Sequence, residues 1–183
     1  MAIKKVSKNA IRPSDHEKIL KVRSYLLMGY CSSIITIHTG LSQKRVRNIR
    51  DSLKEDPELK EFLIDAIAIR ISTSKTIISS PIRQLHASFL LSFYVALNKD
   101  YSEYVDLFKL ARAYGHYISY FQMDSQHEVE PITINEAWAL ATELRSREAF
   151  MHVCKVCDTQ YFEAANQNTY REKKPCPWCC VLS

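Results

Sequence analysis

The sequence predicts a mainly α-helical protein, with a helix-turn-helix-like unit at the front, a central helical bundle and a C-terminal four-cysteine segment. Three observations carry this. Only three glycines, Gly29, Gly40 and Gly115, occur in 183 residues, too few for a fold of many tight turns or a Gly-rich phosphate loop. Apolar residues recur at helical spacing along most of the chain, punctuated by capping and breaking residues. Two Cys-x-x-Cys pairs stand near its end.

Residues 1–13 read as a basic arm, with Lys4, Lys5, Lys8 and Arg12 before Pro13. Ser14 or Asp15 can cap a first helix whose apolar face holds Ile19, Val22, Leu26 and Leu27, and Gly29 marks its end. A shorter helix fits Ser32 to His38, with Ile34, Ile35 and Ile37. Thr39-Gly40-Leu41-Ser42 is a turn, and Ser42 suits the N-cap of a third helix carrying Val46, Ile49 and Leu53. Asp56-Pro57 closes that helix or starts the next. This front region extends over residues 14–71, where 58–71 are helix-prone. Residues 72–80, rich in Ser and Thr, are the best linker candidate. Residues 81–150 form the helical core and partner-binding region: helices from Arg83 to Leu97, from 102 to 122, and from Thr133 to Phe150. Gln122 to Pro131 is a polar loop. Residues 151–183 make the cysteine segment.

Charge is unevenly placed. Residues 1–60 carry 13 Lys or Arg against 6 Asp or Glu, while the remainder carries 12 against 14. A basic front half points to a polyanionic partner. No apolar run follows the N-terminal lysines as a secretory signal requires, and no stretch is long enough to span a bilayer. The expected location is the cytosol, where thiols stay reduced and paired cysteines read as metal ligands.

The cysteine pattern is Cys154-Lys155-Val156-Cys157, 18 residues, then Cys176-Pro177-Trp178-Cys179. Each pair can place two thiolates about one ion, and the spacing lies within the range of four-cysteine zinc sites. The sequence thus predicts one structural Zn2+ held by Cys154, Cys157, Cys176 and Cys179, with an iron–sulfur centre as the lesser alternative. Cys180 can replace Cys179 as the fourth ligand, but Cys179 completes the symmetric spacing. His152 is a further competitor. Four thiolates close the coordination shell, so the site is read as structural rather than catalytic. No paired carboxylates, Ser/His/Asp set or phosphate loop points to an enzyme.

Residues 32–51 have the layout of a helix-turn-helix. The third helix then exposes Gln43, Lys44, Arg47 and Asn48, with Asp51 beside them. Gln, Asn and Arg can read base edges, while Lys44, Arg45 and Arg50 suit phosphates. Arg171, Lys173 and Lys174, between the two cysteine pairs, are further candidates for phosphate contact. Thr36 stands where a smaller residue is commoner in such units. The aromatic series from Phe89 to Phe121 reads mainly as core, with some rings left for a partner surface. His86, His116 and His127 show no ligand spacing.

Several of these features, in this order, resemble the FlhC family of bacterial transcriptional activators. They are Thr39-Gly40-Leu41-Ser42, His86-Ala87-Ser88-Phe89, Ala111-Arg112-Ala113-Tyr114, Glu136-Ala137-Trp138-Ala139-Leu140 and the two Cys-x-x-Cys pairs. The resemblance implies a helical, zinc-binding subunit that acts with a small helical partner, FlhD, in a hetero-oligomer. Such a complex binds double-stranded DNA upstream of promoters and recruits RNA polymerase. The four cysteines match the family's zinc ligands residue by residue. The chain ends three residues after Cys180, where flagellar members continue with a basic tail. Relatives that activate conjugative-transfer genes therefore fit as well as flagellar ones.

Overall fold

A computed structural model describes residues 14–61, 63, 72–123, 130–164 and 176–182. The expected basic arm lies outside them, as do residues 62 and 64–71 of the front region and most of the 122–131 loop. The chain divides into two compact units, Met1–Leu27 with Ser32–Asp65, and Met28–Cys31 with Ala66–Ser183.

The first unit is built from helices α1 (Asp15–Leu27), α2 (Ser32–Thr39) and α3 (Gln43–Lys54), each packed on the other two, and a short helical turn α4 (Pro57–Lys60). Ser14 and Glu17 exchange side-chain bonds with each other's backbone N–H at the start of α1, satisfying two donors that a helix start leaves open. Gly29, at φ 87°, follows its end, a left-handed conformation that glycine adopts without steric cost. Gly40, at φ 70°, does the same after α2. There the Thr39 hydroxyl donates to the Ile35 carbonyl and accepts from the Leu41 N–H. Ser42 then caps α3 by accepting from the Arg45 N–H. The turn between α2 and α3 is thus made entirely by local residues. Val22, Leu26, Ile34, Ile35, Leu41, Val46 and Leu53 fill the core. Two expected core residues differ: Ile37 is 62% exposed, because it points away from the face shared by Ile34 and Ile35, and Ile49 is only half-buried.

The second unit has helices α5 (Ser74–Ile77), α6 (Pro81–Leu97), α7 (Leu107–Met123) and α8 (Ile134–Ser146), a β-hairpin of β1 (Ala149–Val153) and β2 (Gln160–Ala164), and α9 (Pro177–Leu182). The stretch expected to be a linker contains α5, whose Ser74 and Ile77 are buried, and Glu143 of α8 accepts from the Ser74 N–H. Ser80 caps α6, with Pro81 in the first turn, so the helix begins two residues before the expected Arg83. Arg83 ties three segments together. Its guanidinium donates to the carbonyls of Ile77 and Glu130 and pairs with Glu136 at 2.9 Å.

Helix α7 starts at Leu107 rather than at 102. The Asp106 carboxylate accepts from the N–H groups of Phe108 and Lys109, and the residues before it are held in a turn by Asn98 and Tyr94. Asn98 donates to the Tyr94 hydroxyl and the Tyr104 carbonyl, and that hydroxyl also accepts from the Asp106 N–H. Burial raises the Tyr94 pKa further above its usual value. Helix α8 opens with a reciprocal Thr133/Glu136 capping box and stops at Ser146, four residues before the expected Phe150. Arg147 turns left-handed (φ 62°), and the Glu148 N–H reaches back to the Glu143 carbonyl. A non-glycine residue at such a helix end carries no sequence signal.

The hairpin that follows was not expected from the sequence. Its strands pair antiparallel, Ala149 opposite Ala164 and Val153 opposite Gln160. Ala149, Phe162 and Ala164 face inward and are buried. Phe162 is held on α6 from both sides of its backbone: its N–H donates to the Ser88 hydroxyl and its carbonyl accepts from the Gln84 amide.

Candidate metal centre

The turn between β1 and β2 carries Cys154 and Cys157, and the start of α9 carries Cys176 and Cys179. Their four Sγ atoms lie within 4.8 Å of one another. Cys157 and Cys176 approach to 3.4 Å and Cys154 and Cys179 to 4.0 Å, far beyond the ~2.05 Å of a disulfide. Four sulfurs each about 2.3 Å from a tetrahedral ion stand about 3.8 Å apart. The cluster therefore has the size a tetrahedral tetrathiolate metal site needs.

Backbone donors reinforce the fit. The Val156 N–H points at Cys154 Sγ and the Cys179 N–H at Cys176 Sγ, both at 3.4 Å. Asp158 adopts φ 56° to complete the first turn, with its N–H bonded to the Cys154 carbonyl. The thiols respond in opposite directions. The Val156 N–H lowers Cys154 to about 6. The Thr159 hydroxyl and N–H lower Cys157. Burial raises Cys176, and the neighbouring Cys176 and Cys157 thiols push Cys179 up to about 12. Without an ion the four sulfurs share protons; a cation at their centre favours all four as thiolates.

Cys179 belongs to the cluster, whereas Cys180, the next residue along α9, is exposed and outside it. His152 projects from the outer face of the hairpin, 3.5 Å from Glu163, and is not in the cluster either. Two neighbours that the sequence did not single out position the site. Trp178, between the cysteines of the second pair, donates to the Gln160 carbonyl at 3.4 Å, and its ring lies 6.3 Å from that of Phe89 on α6. Thr159 turns the chain beneath Cys157. A Trp inside a Cys-x-x-Cys pair was the available signal for a docked rather than free-standing segment.

The candidate DNA-contacting residues are distributed along α3. Gln43, Lys44, Arg45, Arg47 and Asn48 are exposed and Arg50 half-buried, while Val46 and Leu53 anchor the opposite face. Helical spacing aligns Gln43, Arg47 and Arg50 in one row and Lys44, Asn48 and Asp51 in the next. Arg45 stands apart, turned back to Asp15 of α1 at 3.3 Å. Arg171, Lys173 and Lys174 lie outside the described residues.

The aromatic series divides as well. Tyr94 and Tyr117 are fully buried. The Tyr117 hydroxyl accepts from the Ile132 N–H and shares a hydrogen bond with His86 Nδ1, each at 2.8 Å, which makes His86 a packed core histidine stacked on Phe121 at 4.0 Å. Phe93, Tyr104, Phe108 and Tyr120 remain substantially exposed. No helix among the described residues is long and apolar enough to cross a membrane. In comparisons with known proteins, no family model and no curated protein matches the chain.

Proposed function

We propose that this chain is a cytoplasmic, non-enzymatic DNA-binding transcriptional activator whose C-terminal segment is held by one structural zinc ion. On this reading α2 and α3 form a helix-turn-helix-like unit, α3 is its recognition helix, and Gln43, Arg47 and Asn48 face base edges. Lys44 and Arg50 contact phosphates, as Arg45 does once released from Asp15. The observation that carries the reading is the exposed polar and basic face of α3, on a helix anchored by Val46 and Leu53. A helix so arranged can enter a major groove. A four-thiolate shell suits zinc by ligand softness and leaves no open position for chemistry. The resemblance to FlhC proteins supports the rest: an FlhD-like partner completing a hetero-oligomer, binding upstream of flagellar or conjugative-transfer promoters, and recruitment of RNA polymerase.

A salt titration of duplex binding, with and without an FlhD-like partner, tests this. Affinity should fall steeply as salt rises, because each neutralised phosphate releases counterions. Arg47→Ala should relax sequence preference at a cost of about 1–3 kcal/mol, while Lys44→Ala should weaken all sequences evenly and flatten the salt slope by about one unit. Absence of DNA affinity in both settings would instead make the chain a zinc-stabilised adaptor that binds only protein.

A further inference from the structure

The outward face of α7 is unlike an ordinary solvated helix surface. Phe108, Arg112, His116 and Tyr120, one helical turn apart, are all exposed, and Gly115 lies beside them. Phe108 and Tyr120 are 40% and 58% exposed. Phe93 of α6 stacks on His116 at 5.7 Å, which extends the aromatic strip across the seam between the two helices. A water-facing helix stripe normally mixes both signs of charge. Here neither α6 nor α7 contains a single Asp or Glu over 34 residues (17 in each).

Gly115 adds an independent observation. Glycine within a helix costs about 1 kcal/mol relative to alanine. Nothing among the described residues lies within 4 Å of where its Cβ would stand, so no packing among them explains it. Its effect is a notch in the exposed strip.

We infer that this face of α7 docks an acidic amphipathic helix of a partner polypeptide, which lays apolar side chains over Phe108, Tyr120 and the Gly115 notch and carboxylates beside Arg112 and His116. Charge decides the occupant. The same face of a second copy would bring Arg112 against Arg112. Nucleic acid would require a track of cations, whereas Lys109 is engaged by Asn98 and Asp106 and Arg112 alone on α7 forms no ion pair among the described residues. Rows at i, i+4 and i+8 form the ridge that one helix packs into the groove of another. The inference rests on the part of the proposed function that gives the chain a polypeptide partner, and is independent of the DNA contacts of α3.

The test places the photo-crosslinker benzoylphenylalanine at Ser119 of the full chain, expressed in its own host, and sequences the crosslinked peptides. The expected product is a single partner segment with apolar residues at i, i+3 or i+4 and i+7, flanked by Asp or Glu. Arg112→Glu with His116→Glu should cut the yield at least tenfold. Gly115→Leu should cut it similarly without lowering the melting temperature, which separates docking from folding. Crosslinks to a second copy or to nucleic acid, no crosslink at all, or a yield indifferent to charge reversal would overturn the inference. A crosslink without DNA affinity sinks the activator reading alone; DNA affinity without a crosslink sinks this one alone.

Discussion

Thr36 buries its hydroxyl in α2 with no hydrogen-bond partner among the described residues. Its neighbour Thr39 satisfies its own through the Ile35 carbonyl. An unmatched buried hydroxyl costs about 1–3 kcal/mol, so the isosteric Thr36→Val should stabilise the first unit by about 1 kcal/mol. A denaturant midpoint that moves down, not up, would contradict this. The position was already conspicuous in the sequence, as a threonine where smaller residues are common. What the sequence could not show was that the hydroxyl finds no acceptor among the described residues, which depends on how three helices meet.

At the scale of elements, the hairpin and α9 bring four thiols together without any single element forming the site. Loading a metal must strip the protons from Cys176 and Cys179, whose pKa values are raised, while Cys154, lowered to about 6, is largely thiolate at neutral pH. Metal binding should therefore release protons and weaken as pH falls, most steeply once Cys154 also protonates below about 6. Calorimetry in buffers of different ionisation enthalpy measures that release, and a pH-independent affinity would refute the tetrathiolate assignment. Chelation at constant pH should loosen β1, β2 and α9, seen as accelerated amide exchange at Met151 and Phe162, because the ion contributes folding energy directly. The same elements mark where sequence reading succeeded and failed. Cysteine spacing announced the four-sulfur cluster, since the chemistry of such a cluster dictates it. The hairpin stayed hidden because helical periodicity ran on past Ser146, and the stop depends on Arg147 adopting a conformation rare outside glycine.

Over the whole molecule, the helical class, the three front helices and most of α6 to α8 were legible, because periodicity and capping residues such as Ser42 and Thr133 act locally. Long-range bonds were not. Asn135 of α8, 6% exposed, accepts from the Cys31 N–H and donates to the Gly29 carbonyl, across 104 and 106 residues of chain. Beside it the Tyr30 hydroxyl donates to the Leu107 carbonyl, which accounts for Met28–Cys31 belonging to the second unit. Asn135→Leu should cost about 2–3 kcal/mol by stranding two buried backbone groups, and should slow folding if these distant contacts form before the transition state, which stopped-flow mixing would read. The docking of Phe162 between Gln84 and Ser88 has a further consequence. The metal segment is not a portable cassette: excised from this chain and grafted elsewhere, it would take its four sulfurs along but leave behind the helix that receives Phe162 and Trp178.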